Sequence, residues 1–333
     1  DKSIGMMSRI LNKPHGGSGS TKAMALLRRT TPLFSVLWLA VVALHLSHRP
    51  DSSINMRGST DNKIHLVYAS DDKEIPGVEV SIRSVLCHAS EPVEIHYVGE
   101  SPLTSLPQVH YHNLTEVAKQ FNIEQFTNPY ARTKTFELGL NSNPANYVRF
   151  IIDSLLPHAK KAMWIDVDTV VKCDVVGMFR QALSETNYVI AAVPVHRKPM
   201  GVNGKVLKSK QFRNLNISFN AGVYVVDLER WRAQHMTRQI RKLTLKNAKK
   251  TMYKYGSQPP LVLTIGDQFE HLSWEWNAKA DHLDRSAEEP PFKQDACLVH
   301  WSGTSKPWDE GGIHTDLWNE PCPAKQEETL STP

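Results

Sequence analysis

Cysteine is scarce in this sequence and never closely paired: Cys87, Cys173, Cys297 and Cys322 stand far apart. The absence of any Cys-x-x-Cys pair excludes a zinc ribbon and leaves one or two disulfides whose pairing the spacing does not specify. No internal repeat is present, which excludes a repeat array. Charge of one sign is lacking too, with 39 Lys and Arg against 34 Asp and Glu, a formal +5. Much of that excess lies before Pro32 and between Arg238 and Lys254, which reads as a tail and a solvated helix face; no nucleic-acid partner is expected. No apolar run reaches the roughly 20 residues of a full membrane span.

What is present is 333 residues, 41% hydrophobic and 22% charged, enough for a large core. Residues 1–31 are rich in Gly, Ser, Lys and Arg without apolar period and read as a disordered cytosolic tail. Pro32 to Leu46 is almost continuously apolar. With Arg28 and Arg29 just upstream and no small-x-small cleavage site after it, the segment 32–47 reads as a signal-anchor in preference to a cleaved signal peptide. A polar stem, 48–62, follows. The Asn113-Leu114-Thr115 and Asn216-Ile217-Ser218 sequons suit a luminal domain.

From residue 63 to 318 strand-like and helix-like segments alternate, which implies a parallel sheet of βαβ units. Ile64 to Ala69 and Val93 to Val98 read as strands around a helix from Val78 to Cys87. Ala145 to Leu155 reads as a helix, Tyr188 to Val193 as a strand, and Pro194 to Leu215 as a mobile loop. Residues 319–333 form a polar tail. The informative stretch is Ala162 to Val171, an apolar strand whose downstream end carries Asp166 and Asp168. Residues two apart in extended chain share a face, so both carboxylates can reach one cation. His300 ends another short apolar run and supplies a third ligand; imidazole with carboxylates suits Mn²⁺ better than Mg²⁺. Gly303 and Lys306 follow on the same loop, a close backbone approach and a point charge of the kind a diphosphate requires.

Taken together, Ala69-Ser70-Asp71-Asp72, Asn146-Tyr147-Val148-Arg149-Phe150, Asp166-Val167-Asp168, Phe219-Asn220-Ala221-Gly222, Gly266-Asp267-Gln268 and the run from His300 to Trp308 resemble glycosyltransferase family 8. That family includes glycogenin and the bacterial lipopolysaccharide galactosyltransferases, and the likeness covers about residues 63 to 310. It implies an α/β GT-A fold: a single, Rossmann-like catalytic domain with a mixed, mainly parallel sheet. It also implies a UDP-sugar donor, Mn²⁺ or Mg²⁺, and retention of anomeric configuration. Position by position, Asp166, Asp168 and His300 match metal ligands. Ala69, Asp72 and Arg149 match donor contacts, and Gly303 and Lys306 match diphosphate contacts. Asn220, Asp267 and Gln268 match polar residues around the transferred sugar, with Asp267 the nearest candidate nucleophile. Two departures are Trp164 where many relatives have Tyr, and Phe269-Glu270-His271-Leu272 after Gly266-Asp267-Gln268, which lacks the further acid many relatives carry there.

The resulting expectation is a type II glycosyltransferase of the Golgi or endoplasmic reticulum membrane, acting on a glycan, protein or lipid acceptor; a homodimer is left open. A catalytically inactive sugar-nucleotide-binding protein is the alternative. A nucleotidyltransferase or hydrolase would need a water-activating base that the sequence does not show.

Overall fold

The first described strand explains the architecture. Strand β1 (Ile64–Ala69) is buried for all but its last residue. Leu66 and Tyr68 enter one hydrophobic core while Val67 enters another on the opposite face. A strand covered on both faces reads as a continuous apolar run rather than an alternating one, as this one does. The computed structural model describes residues 62–127, 142–283 and 294–322. The expected cytosolic tail and signal-anchor, nearly all of the stem, and the end of the C-terminal tail lie outside them. Among the described residues no helix is long and apolar enough to cross a membrane.

Helix α1 (Ile75–His88) follows, with Pro76 in its first turn, where a missing N–H leaves no hydrogen bond unmade. Next come β2 (Val93–Gly99) and β3 (His110–Asn113). The Asn113 side chain caps α2 (Leu114–Gln120) by accepting from the Glu116 N–H at 3.0 Å. A 3₁₀ helix, Pro144–Phe150, leads into α3 (Ile152–Leu155), β4 (Lys161–Ile165), β5 (Thr169–Val171) and α4 (Val175–Gln181). Then come β6 (Ile190–Val195), α5 (Gly204–Leu207), β7 (Ser218–Asp227), α6 (Leu228–Ala233) and α7 (Met236–Lys249). The last elements are α8 (Gln258–Ile265), β8 (Glu270–His271), β9 (Ala278–Lys279), β10 (Leu298–His300) and α9 (Thr315–Asn319).

Seven strands form one sheet in the order β3-β2-β1-β4-β7-β6-β8, and β7 alone runs against its neighbours. This is the mixed, mainly parallel sheet expected. The order reverses between β1 and β4, and in such sheets ligands bind beyond the carboxyl ends of the strands at that point. A second, three-stranded sheet, β5-β10-β9, stands beside it.

Three expectations change in detail, and one apolar run takes a definite form. The strand through Asp166 and Asp168 is not continuous: β4 stops at Ile165, the Thr169 hydroxyl closes a turn on the Asp166 carbonyl at 2.9 Å, and β5 joins the other sheet. The two acids therefore occupy a corner between sheets. The helix expected over Ala145 to Leu155 divides into a 3₁₀ and an α segment around Ile151. The apolar run Leu261 to Ile265 is the end of helix α8, stopped by Gly266 at φ +72°, a conformation glycine adopts without strain. The 194–215 segment is anchored rather than loose, because Leu207, Phe212 and Leu215 are buried and the Asn203 N–H bonds the Met252 carbonyl at 2.8 Å. All four cysteines pair, Cys87 with Cys322 and Cys173 with Cys297.

Candidate metal and donor site

The corner after β4 and the end of β10 bring three ligand-type side chains together across 132 residues of sequence. His300 Nε2 lies 3.3 Å from Asp168 Oδ1 and 4.0 Å from Asp166 Oδ2. One potential ligand atom from each of the three side chains falls within 4.8 Å of the others. The register of β10 on β5 sets this geometry, since His300 stands opposite Thr169, and the Trp301 N–H bonds the Asp168 carbonyl at 2.9 Å. The Cys173–Cys297 disulfide joins the same two strands just outside that pairing.

Each ligand is held by neighbours. The Trp164 indole N–H donates to Asp166 Oδ1 at 2.7 Å, and Arg149 Nη2 donates to the same oxygen at 2.9 Å. Arg149 also donates to the Ala221 carbonyl at 2.6 Å and lies over the Trp164 ring. The structure places this arginine, expected at the donor, against the Asp166 carboxylate, with its guanidinium largely buried. His300 Nδ1 sits 2.8 Å from Asn277 Oδ1. A carboxamide oxygen only accepts, so this contact puts an imidazole proton on Nδ1 and leaves Nε2 facing the carboxylates.

Lys306 Nζ completes the electrostatics, 2.5 Å from Asp168 Oδ2 and 3.0 Å from the Trp301 carbonyl. Burial pushes the Asp168 carboxyl up, but His300 and Lys306 beside it outweigh this and hold it below the usual carboxylate range. Glu74, just after β1, behaves oppositely. Burial, followed by the Asp71 and Asp168 charges, pushes it up to about 7 against the pull of Lys306. Trp308 pins the Lys306 loop, packing on Gly77 of α1, where a Cβ would collide with its ring, and on Trp318.

The remaining expected site residues divide into two groups. Asn220 stands beside the triad, and its Oδ1 accepts from the Gly222 N–H at 2.8 Å. Ala69 and Asp72 lie at the end of β1 and just beyond it; Asp72 is exposed and accepts from the Ser101 hydroxyl at 3.3 Å. Gly303 is exposed on the loop between His300 and Lys306, with open space where a Cβ would stand. Asp267 and Gln268 are exposed after α8, where the Gln268 amide donates to Asp267 at 3.1 Å; among the described residues no hydrogen bond or ion pair joins them to the triad. The sequence reading missed Trp164, Gly222, Asn277 and Glu74 as contributors. Gly222 had a signal, its place in Phe219-Asn220-Ala221-Gly222, whereas Asn277 had none.

Two carboxylates and a neutral imidazole suit a divalent first-row cation. Gly222 supplies a further test of fit. A Cβ there would collide with His300 Cε1 and Asp166 Oδ2, so the glycine keeps the space between the ligands open. The residues present therefore fit a divalent metal.

The comparisons with known proteins agree with this geometry. The family model described as "Glycosyl transferase family 8" matches residues 65–312. Human "Glycosyltransferase 8 domain-containing protein 1" is 30% identical over 209 residues, 55% of this chain and 55% of that protein. "Glycosyltransferase 8 domain-containing protein 2" of Macaca fascicularis is 26% identical over 207 residues, 53% and 57% of the two chains. The chain thus spans just over half the length of the curated relatives it matches. Among solved structures, galactosyltransferase LgtC in complex with donor and acceptor sugar analogues superposes with a TM-score of 0.55 at 16% identity, covering 81% of this chain and 97% of that one. Mouse xyloside xylosyltransferase 1 superposes at 0.50 with 16% identity, covering 72% and 98%. At such identities the likeness speaks for the fold, which is GT-A. With the family model spanning the sheet and its metal corner, the chain belongs to glycosyl transferase family 8.

Proposed function

We propose that the chain is a retaining glycosyltransferase that moves a hexose- or pentose-type sugar from a UDP-sugar to an acceptor hydroxyl. The observation that carries this reading is the convergence of Asp166, Asp168 and His300, with Lys306 beside them, at the carboxyl ends of β1 and β4. Mn²⁺, or Mg²⁺ in its place, held by those three residues would supply Lewis-acid stabilisation of charge on the departing diphosphate. The chain's own groups do the rest. Arg149 and Trp164 fix the Asp166 carboxylate, and Asn277 fixes the His300 ring. The Lys306 ammonium offers a second positive charge to the diphosphate. Because Asp267 is exposed and bonded to Gln268, same-face attack by the acceptor is preferred to a covalent intermediate, with the leaving phosphate taking the acceptor proton. The two disulfides support residence in an oxidising lumen, here the Golgi or endoplasmic reticulum, with the 32–47 segment as the membrane anchor.

The same exposure of Asp267 and Gln268 is what favours the second reading, a sugar-nucleotide-binding protein without turnover. Thermal unfolding with a panel of UDP-sugars, with and without Mn²⁺, tests the donor site. A ligand at a hundred times its dissociation constant adds about 2.7 kcal/mol. The expected result is a Mn²⁺-dependent shift with one sugar, absent from an Asp166→Ala, Asp168→Ala variant; no shift with any nucleotide would sink both readings. Sugar transfer by the same samples then separates the enzyme from the binding protein.

A further inference from the structure

Charge is divided unequally along this chain. Residues 186–266 carry 15 Lys and Arg against only two acids, Asp227 and Glu229, whereas the remainder carries 24 against 32. The inequality has a place in the fold. Strands β4 and β6 both run against β7, so β6 ends at the same edge of the sheet as the metal corner. The connection 196–217 leaves the sheet there and returns at Ser218. From Ser218 the strand reaches Gly222, at the triad, within four residues, about 14 Å at the usual rise.

That connection exposes Arg197, Lys198, Lys205, Lys208, Lys210 and Arg213. Among the described residues none of these six forms an ion pair with a carboxylate. The platform beneath them is fixed. Leu207, Phe212 and Leu215 are buried, and the Lys254 N–H bonds the Gly201 carbonyl at 3.0 Å. Like charges gathered without partners on a fixed surface raise the local potential and draw anions to it. The acids of the site, Asp71, Asp72, Glu74, Asp166 and Asp168, cluster instead around the ends of β1 and β4. One side of this sheet edge asks for a cation and the other for an anion.

We propose that the acceptor is an acidic oligosaccharide, bearing carboxylate or sulfate groups, which the 196–217 platform binds. This rests on the reading of the chain as a glycosyltransferase. A lipid surface is disfavoured because the apolar side chains here point inward; Met200 is the exposed large hydrophobic of the segment. Gln211 and Asn214 are exposed among the cations and offer amides to sugar hydroxyls.

The test is calorimetric titration of the full chain, with UDP and Mn²⁺ present, using a heparin-derived hexasaccharide and cellohexaose. The acidic probe is expected to bind at least about tenfold more tightly, less so as salt rises. An Arg197→Ala, Lys198→Ala, Lys208→Ala, Lys210→Ala, Arg213→Ala variant should lose that preference while keeping its Mn²⁺-dependent thermal shift with the donor. A Lys242→Ala, Lys246→Ala, Lys249→Ala variant of the exposed α7 face serves as the control for bulk charge and should keep the preference. Equal affinity for the two probes, equal loss in both variants, or tighter binding to phosphatidylserine vesicles than to the acidic probe would each overturn the proposal. A missing donor shift in the wild type would instead sink the transferase reading.

Discussion

Two groups of buried histidine show what separates a ligand from a structural imidazole. His300 faces carboxylates: Asp168 and Asp166 lie on its Nε2 side, and Asn277 holds Nδ1. His96, midway along β2, faces other imidazoles. Its Nε2 is 3.1 Å from His65 Nδ1 and its Nδ1 is 3.4 Å from His112 Nε2, and the His110 ring stacks 5.0 Å away. Burial, then His65, His112 and His110, push His96 down to about 3, with Glu94 opposing weakly. The imidazole row bonds ring to ring, and His96 within it is kept neutral by burial and by its neighbours. The triad instead gathers acceptors and negative charge around one point, an arrangement that suits a cation. Neighbouring histidines on a sheet therefore say little, and the company each ring keeps says more.

The contrast can be broken most strongly at Gly222. Gly222→Ala should leave the fold in place but force His300 and Asp166 apart, and displacements near 1 Å typically cost about a hundredfold in activity. Mn²⁺ titration and a melting curve on the same variant would show it; unchanged metal affinity would mean that the triad is not the metal site. Next comes Asn277→Ala, which removes the acceptor of His300 Nδ1–H and should weaken Mn²⁺ binding about 10- to 100-fold. His96→Gln is the matched control, and a comparable loss there would erase the distinction between the two histidines.

The smallest effect is one of pH. With a folded value near 3 against the ordinary 6.5, the unfolded chain binds more protons at His96 throughout that interval. The stability from its neutral form is thus fully present above about 6.5 and is lost as pH falls through 3. His112, lowered by burial and by His110, acts in the same direction. The melting temperature should therefore fall between pH 7 and 5, and less steeply in His96→Gln; parallel slopes in the two proteins would contradict the assignment.

Much of this was legible in the chain itself. Apolar strand runs set beside helices gave the layered sheet, because burial on both faces demands them. Asp166, Asp168, His300 and Lys306 were visible as candidates from residue type and from their order along the chain. Gly222 appeared within a motif, but its purpose did not, since a glycine kept small for a neighbour looks like any other glycine. Asn277 was invisible because its partner lies 23 residues away, on a strand that pairs in the second sheet. Arg149 was read towards the donor, and its bonds to Asp166 and Ala221 emerged only once β7 was laid beside β4.

The sequence by itself determined the family, the alternation of strands and helices and the chemical types of the candidate ligands, since these follow from local pattern and composition. Tertiary structure decided the rest: the corner that turns Asp166 and Asp168 out of the strand, the two disulfide pairs, the room left by Gly222 and the basic platform at the same edge of the sheet. Each depends on which distant segments pack together, and contacts closed over 100 or more residues leave no periodicity to read.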